Sequence, residues 1–241
     1  MPLRLGILIA GSLDWSNESY RVEWRKSRLV AEGGIPVRVP IRYGGLSRSN
    51  TYTMVFSPGC PEGQAKVRRC LRPVSSIVDL VAEAKALWAA ERPADSKPLT
   101  ARAHSADWGC VALLPNPTVP SSHHLLDGWA KQIASERNSD GSPTYDRSYY
   151  SVKGASAITN RGLLHIAWPA PFSTNAAFDI CDLLLATPTR PTPDQTTGDF
   201  PSPAVIAGAW NRAGNAEYFR MNREYGLRTF QDEEIQSFLR V

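Results

Sequence analysis

At 241 residues, 42% apolar and 21% charged, the chain has the composition of a folded globular protein and the length for one large domain with a sizeable core. No run approaches the roughly eighteen apolar residues of a membrane helix, and four scattered cysteines without a C-x-x-C pair exclude a zinc ribbon and a dense disulfide framework. The net charge is +4, but Met1 to Arg72 carries 12 Lys and Arg against 5 Asp and Glu, whereas Thr187 to Val241 carries 6 against 7. Any attraction for an anionic ligand or for nucleic acid therefore belongs to the N-terminal third.

The opening "MPLRLGILIAGSLDW" has too short an apolar run for a leader and meets Asp14 and Glu18 at once, so it reads as a core strand over Leu5–Ala10. Cys60, Cys70, Cys110 and Cys181 read as free thiols of a reducing compartment, which places the protein in the cytoplasm without membrane attachment. Arg21, Trp24, Arg25 and Arg28 follow at spacings of three to four, which puts three guanidinium groups on one face if the segment is helical. Further strands are expected at Val37–Tyr43, Tyr52–Ser57, Trp108–Leu114, Tyr149–Lys153 and Leu163–Trp168. Gly44–Gly45, Ser47 and Asn50 mark a hairpin connection between the first two of these.

Two helices interrupt the strands. "SSIVDLVAEAKALWAAER" repeats Ile77, Leu80, Val81, Ala84, Leu87 and Trp88 at helical spacing, with Ser76 and Asp79 set as an N-terminal capping arrangement. "SSHHLLDGWAKQIASER" carries Leu125, Leu126, Trp129 and Ile133 on one face, modestly weakened by Gly128. Beyond Ala186 a Pro/Thr-rich crossing, "TPTRPTPDQTTGDFPSP", leads to three short helical patterns. Ser202 and Pro203 start the first, Gly226 stops the second, and Thr229 with Asp232 heads the third. Trp210, Tyr218, Phe219, Phe230 and Phe238 make this segment too aromatic for a solvated arm, so it should dock on the main body or on a second subunit. The expectation is an α/β protein: residues 1–186 form a mixed, curled, barrel-like sheet with flanking helices, and residues 187–241 form a helical C-terminal extension.

The motif with most chemistry is "AGSLDW". Gly11 lets the chain turn sharply and lets a ligand approach backbone N–H groups, and Ser12 adds a hydroxyl. No G-x-G-x-x-G or P-loop pattern accompanies it. "WGCVALL", Trp108 to Leu114, then "LLDGWA", Tyr145 and "YYSVKG" follow in order, after "YRVEWRKSRLV" and "TYTMVFSPG". Over roughly residues 3 to 170 this succession resembles the gamma-glutamyl cyclotransferase-like superfamily, with its ChaC and AIG2-like branches. The resemblance implies a small, partly closed barrel whose Gly-Ser-Leu amides hold a substrate carboxylate, here at Gly11, Ser12 and Leu13. It implies an acidic residue that handles protons while the substrate amine attacks its own side-chain carbonyl to give 5-oxoproline, with no metal or cofactor. Ala10 stands where that family has Tyr, and Ala130 stands where the acidic residue would fall. Glu136 is then the nearest substitute, with Asp127 and Glu91 as the others.

Arg42, Arg48 and Tyr52, in "RYGGLSRSNTYTMVF", are the candidates to complement a small anionic substrate. The alternative function is a non-enzymatic module that recognises a nucleotide or nucleic acid through this basic, aromatic third. A homo-oligomer through the C-terminal extension is a further expectation. His123 and His124 diverge by about 100° on a helix and make a poor metal pair. His104 beside Asp107, His165, and Cys110 are possible bases or nucleophiles, each more simply explained as structural.

Overall fold

Five consecutive residues, Leu5–Ile9, form β1, and all of them are buried. A strand covered on both faces belongs in the middle of a sheet. In the computed structural model, which describes residues 2–47, 49–91, 109–119, 123–135, 145–172 and 181–240, that is where it lies. β4 (Glu62–Arg69) pairs with β1 antiparallel on one side, and β9 (Leu183–Ala186) pairs with it parallel on the other. β2 (Ile35–Leu46), β3 (Tyr52–Phe56), β5 (Ala112–Pro115) and the short β8 (Ala170–Pro171) complete the sheet. Its order is β3-β2-β4-β1-β9-β5, with β8 added to β2. The sheet is mixed and curled, as expected. Its curl comes from β2, which pairs with β4 over its first half and with β3 over its second, bending at a register shift between Tyr43 and Gly45.

The expected hairpin forms, but Gly44 and Gly45 lie inside β2 at that shift. The turn itself is Ser47–Thr51, closed by the Ser47 N–H to the Thr51 carbonyl. Two other strand expectations are corrected. Tyr149–Lys153 becomes a 3-10 turn over Arg147–Tyr150, followed by a two-residue strand β6 (Ser151–Val152) that pairs with β7 (Ala155–Ser156). Leu163–Trp168 forms only isolated bridges, Leu163 to Leu113 and Leu164 to Ile158. β4 escapes an apolar-run search because its buried face is built from Gly63, Ala65 and Val67, alternating with Gln64, Lys66 and Arg68. Trp108 lies outside the described residues, and β5 starts at Ala112.

α1 (Ser19–Arg28), α2 (Ile77–Glu91) and α3 (His123–Ser135) flank the sheet. The capping pair of α2 is reciprocal: Ser76 Oγ accepts from the Asp79 N–H, and Asp79 Oδ2 accepts from the N–H groups of Ser75 and Ser76. Gly128 has a packing role, since a methyl there would stand 3.2 Å from Ile77 of α2. All four cysteines are free, and no helix among the described residues is long and apolar enough to cross a membrane.

The C-terminal segment forms α4 (Pro203–Ala213), α5 (Glu217–Glu224) and α6 (Asp232–Phe238). Ser202 caps α4, Pro203 opens it and Gly214 closes it in the left-handed conformation. Thr229 donates its hydroxyl to Asp232 Oδ1, as the spacing suggests. The segment docks on the body of its own chain: Tyr43 of β2 packs against Trp210, Phe219 and Tyr218 at ring separations of 5.0, 5.9 and 6.4 Å. Further on, Arg228 forms a bridge with Gln64, and so continues alongside β4 where β1 has left the sheet. Gly63 makes this approach possible. Gly63→Ala would drive a methyl into the Arg228 carbonyl oxygen and Ile41. We expect it to cost about 1–3 kcal/mol and to expose the segment after Leu227 to limited proteolysis; an unchanged urea midpoint and cleavage pattern would refute the close fit.

Candidate functional site

β1 and β9 are parallel neighbours, so their carboxyl ends open at the same edge of the sheet, the usual place for a ligand crevice in such a pair. The chain leaves β1 through Gly11 and leaves β9 through Thr187. Residues 11–16 form a single helical turn, in which the N–H groups of Asp14, Trp15 and Ser16 bond to the carbonyls of Gly11 and Ser12. The N–H groups of Gly11, Ser12 and Leu13 donate to no acceptor in the chain. Three successive unpaired donors form an anion- or oxyanion-binding nest.

α1 holds this turn in place, and its three arginines do share a face. Arg25 donates to the carbonyls of Leu13 and Ser16, at 2.8 and 2.6 Å. Arg28 pairs with Glu83 of α2. Arg21 donates to Ser12 Oγ at 2.7 Å, to the Ala90 carbonyl at 3.2 Å and to Glu91 Oε2 at 3.4 Å. Its Nε also lies 3.3 Å from Glu18, which accepts from the Tyr20 hydroxyl. Below the turn, Asp14 is buried against Lys66 at 2.7 Å, and beside it the Trp15 indole N–H donates to Asn222 Oδ1 of α5.

Glu91, one of the three expected proton-handling residues, therefore stands behind the nest at the last residue of α2. Its side chain is only 11% exposed. Burial pushes its carboxyl up to about 7, against the opposing pull of Arg21 and of the Thr187 hydroxyl that bonds to it. A carboxyl that is half ionised near neutrality can both take and return a proton.

Tyr218 of α5 closes the other side. Its hydroxyl stands 2.6 Å from where a Gly11 Cβ would be. Burial raises its acidity constant, as does the charge of Glu91, while Arg21 lowers it, so the three groups share one electrostatic environment. Next to Tyr218 is a cavity of about 310 Å³. Ser12 and Trp15 line it from the turn, Ser47, Ser49, Thr51 and Thr53 from the β2–β3 hairpin, and Asn215, Glu217 and Tyr218 from α5 and its approach. Gly11→Ala should cost about 1–3 kcal/mol through this contact. In a Tyr218→Phe background the next atom is a ring carbon at 3.6 Å, an ordinary distance, so most of the loss should vanish. Thermal melts of the four proteins measure the cycle, and equal losses in both backgrounds would contradict the assigned contact.

Of the expected site residues, Gly11, Ser12, Leu13 and Glu91 come together. Tyr52 is buried in β3 beside the cavity wall but does not line it. Arg42 lies elsewhere: strand alternation that turns Tyr43 toward the aromatic cluster turns Arg42 to the other face, where it stacks over Phe200 at 4.3 Å and Phe230 at 5.5 Å. Asp127 is exposed on α3 and pairs with Arg161. Arg48, Glu136, His104 and Asp107 lie outside the described residues. His165 is exposed, with Nδ1 3.1 Å from the Ser156 carbonyl, and burial pushes the Cys110 thiol up to about 12, so it is no nucleophile. Among the described residues, no three His, Cys, Asp or Glu side chains converge as a metal site.

Arg21, Thr187 and Tyr218 are the participants that sequence reasoning missed. Only Arg21 left a signal, as one member of the arginine face. No family model, curated protein or solved structure matches the chain.

Proposed function

We propose that the crevice at the ends of β1 and β9 is the active site of a cyclotransferase-like enzyme acting on a small gamma-glutamyl-type compound. The observation that supports this most is Glu91, a buried carboxyl poised near neutrality and tied through Arg21 to a turn with three free N–H groups. In this reading the nest holds oxygen: a substrate carboxylate, or the side-chain carbonyl oxygen as it takes up negative charge. Glu91 takes a proton from the substrate ammonium, and the freed amine attacks its own side-chain carbonyl. The crevice brings the two ends of the substrate together, so ring closure has no second-molecule entropy to overcome. The products are 5-oxoproline and an amine, and the steps are proton transfers that need no metal.

The reading is tested by incubating the protein with a panel of gamma-glutamyl dipeptides and amides and assaying 5-oxoproline. Product is expected with the native chain and is lost in Glu91→Gln. No product across the panel would refute the proposal. The alternative, nucleotide or nucleic-acid binding, draws less support, because Arg21, Arg25, Arg28 and Lys66 are engaged within the chain.

A further inference from the structure

Ser12 and Tyr218 are the two residues common to the turn with its Arg21 clamp and to the 310 Å³ cavity. A scissile bond held with its oxygen on the Gly11–Leu13 N–H groups therefore has one half over the crevice and the other in the cavity. The cavity wall is polar, and the hydroxyls of Ser47, Ser49 and Thr51 lie within 2.8–3.0 Å of one another. The phenol stands at the boundary. Its oxygen accepts a long, 3.4 Å bond from the Met54 N–H, which leaves its hydrogen free for a further acceptor.

Resting on the reading above, we infer that Tyr218, contributed by the C-terminal segment, is the acid that protonates the leaving amine, and that the amine departs into the hydroxyl-lined cavity. The proton balance closes. Overall the substrate ammonium gives up two protons and the leaving nitrogen gains two. Glu91 takes the first, which frees the amine to attack, and the ring nitrogen of the adduct sheds the second to solvent. As the C–N bond breaks, its electron pair takes the Tyr218 proton and a neutral amine leaves. The proton held by Glu91 returns to the phenolate, and the amine collects its second proton from solvent. Burial supports the role, because it keeps the phenol protonated until the leaving nitrogen becomes basic.

A leaving-group comparison separates an acid from a structural residue. Tyr218→Phe is assayed against a gamma-glutamyl alkylamide, whose amine must be protonated to leave, and against the gamma-glutamyl p-nitroanilide, whose amine need not. For the alkylamide kcat should fall about 10²- to 10³-fold with KM nearly unchanged, while turnover of the anilide should fall by less than about threefold. Equal falls on both substrates, or no fall on either, would overturn the assignment while leaving the parent reading intact. Failure of the native protein to turn over either substrate would overturn the parent reading, and this inference with it. If Tyr218→Phe does not fold, 3-fluorotyrosine at position 218 keeps the ring and makes the phenol more acidic. The alkaline limb of the alkylamide pH profile should then move to lower pH and that of the anilide should not; limbs that stay together would refute the role.

Discussion

Arg21→Met should lose about 3 kcal/mol or more at pH 8 and recover most of that loss by pH 5. Arg21 and Glu91 are 12% and 11% exposed, so removing the guanidinium leaves a carboxylate with neither water nor counter-charge. Only the ionised carboxylate bears that cost. The proton is held up to about pH 7 in the native chain and to higher pH once the guanidinium is gone, so at pH 5 the group is neutral in both proteins. Arg21→Met combined with Glu91→Gln should restore stability at both pH values, apart from the bonds to Ser12 and the Ala90 carbonyl. Urea melts of the three variants at the two pH values measure this. An equal loss at pH 5 and pH 8 would mean that Arg21 acts only as a packing residue.

Glu91→Gln should abolish turnover, by about 10²-fold or more, and at the same time make the protein relatively more stable above pH 7. The sign follows from proton counting. The folded carboxyl titrates at about 7 against an ordinary 4.5, so between these values the folded state holds a proton that the unfolded chain has released. Stability therefore falls as pH rises through this window, by up to roughly 3 kcal/mol. Glutamine cannot titrate, and the slope should disappear with it. Activity of the native enzyme should rise over the same interval as the base becomes free, so the site gains competence where the fold loses stability. Melts from pH 4.5 to 8 whose slopes are the same for native and variant chains would show that Glu91 is not the group responsible.

Elements with a clear period were legible before any coordinates. β1 shows as a continuous apolar run, α2 by its spacing and its Ser76–Asp79 cap, and α4 by Ser202 and Pro203. β4 was hidden because its small residues make little apolar signal, although it is the strand that joins both halves of the sheet. At the site, the turn could be read from Gly11-Ser12, and Glu91 stood among the candidate carboxylates. Nothing local distinguished Glu91 from Asp127: what separates them is a guanidinium seventy positions earlier in the chain, met only after α1 and α2 pack. Arg42 illustrates the reverse case, since charge and neighbourhood favoured it and a single step of strand alternation turned it away. Tyr218 was read as a docking aromatic, and its place over Gly11 depends on the tertiary fold.

The bond from Trp15 to Asn222 joins residues 207 positions apart, and the bridge from Gln64 to Arg228 ties the same end of the chain to β4. This has a consequence for how the protein matures. A chain growing from its N-terminus presents the Gly11 turn early but cannot seat α5 against it until nearly all the sequence has been made. Contacts of such separation also form slowly, because a long loop must close before they contribute. On refolding from denaturant, catalytic competence should therefore return with the slowest phase, after most helical signal has been regained.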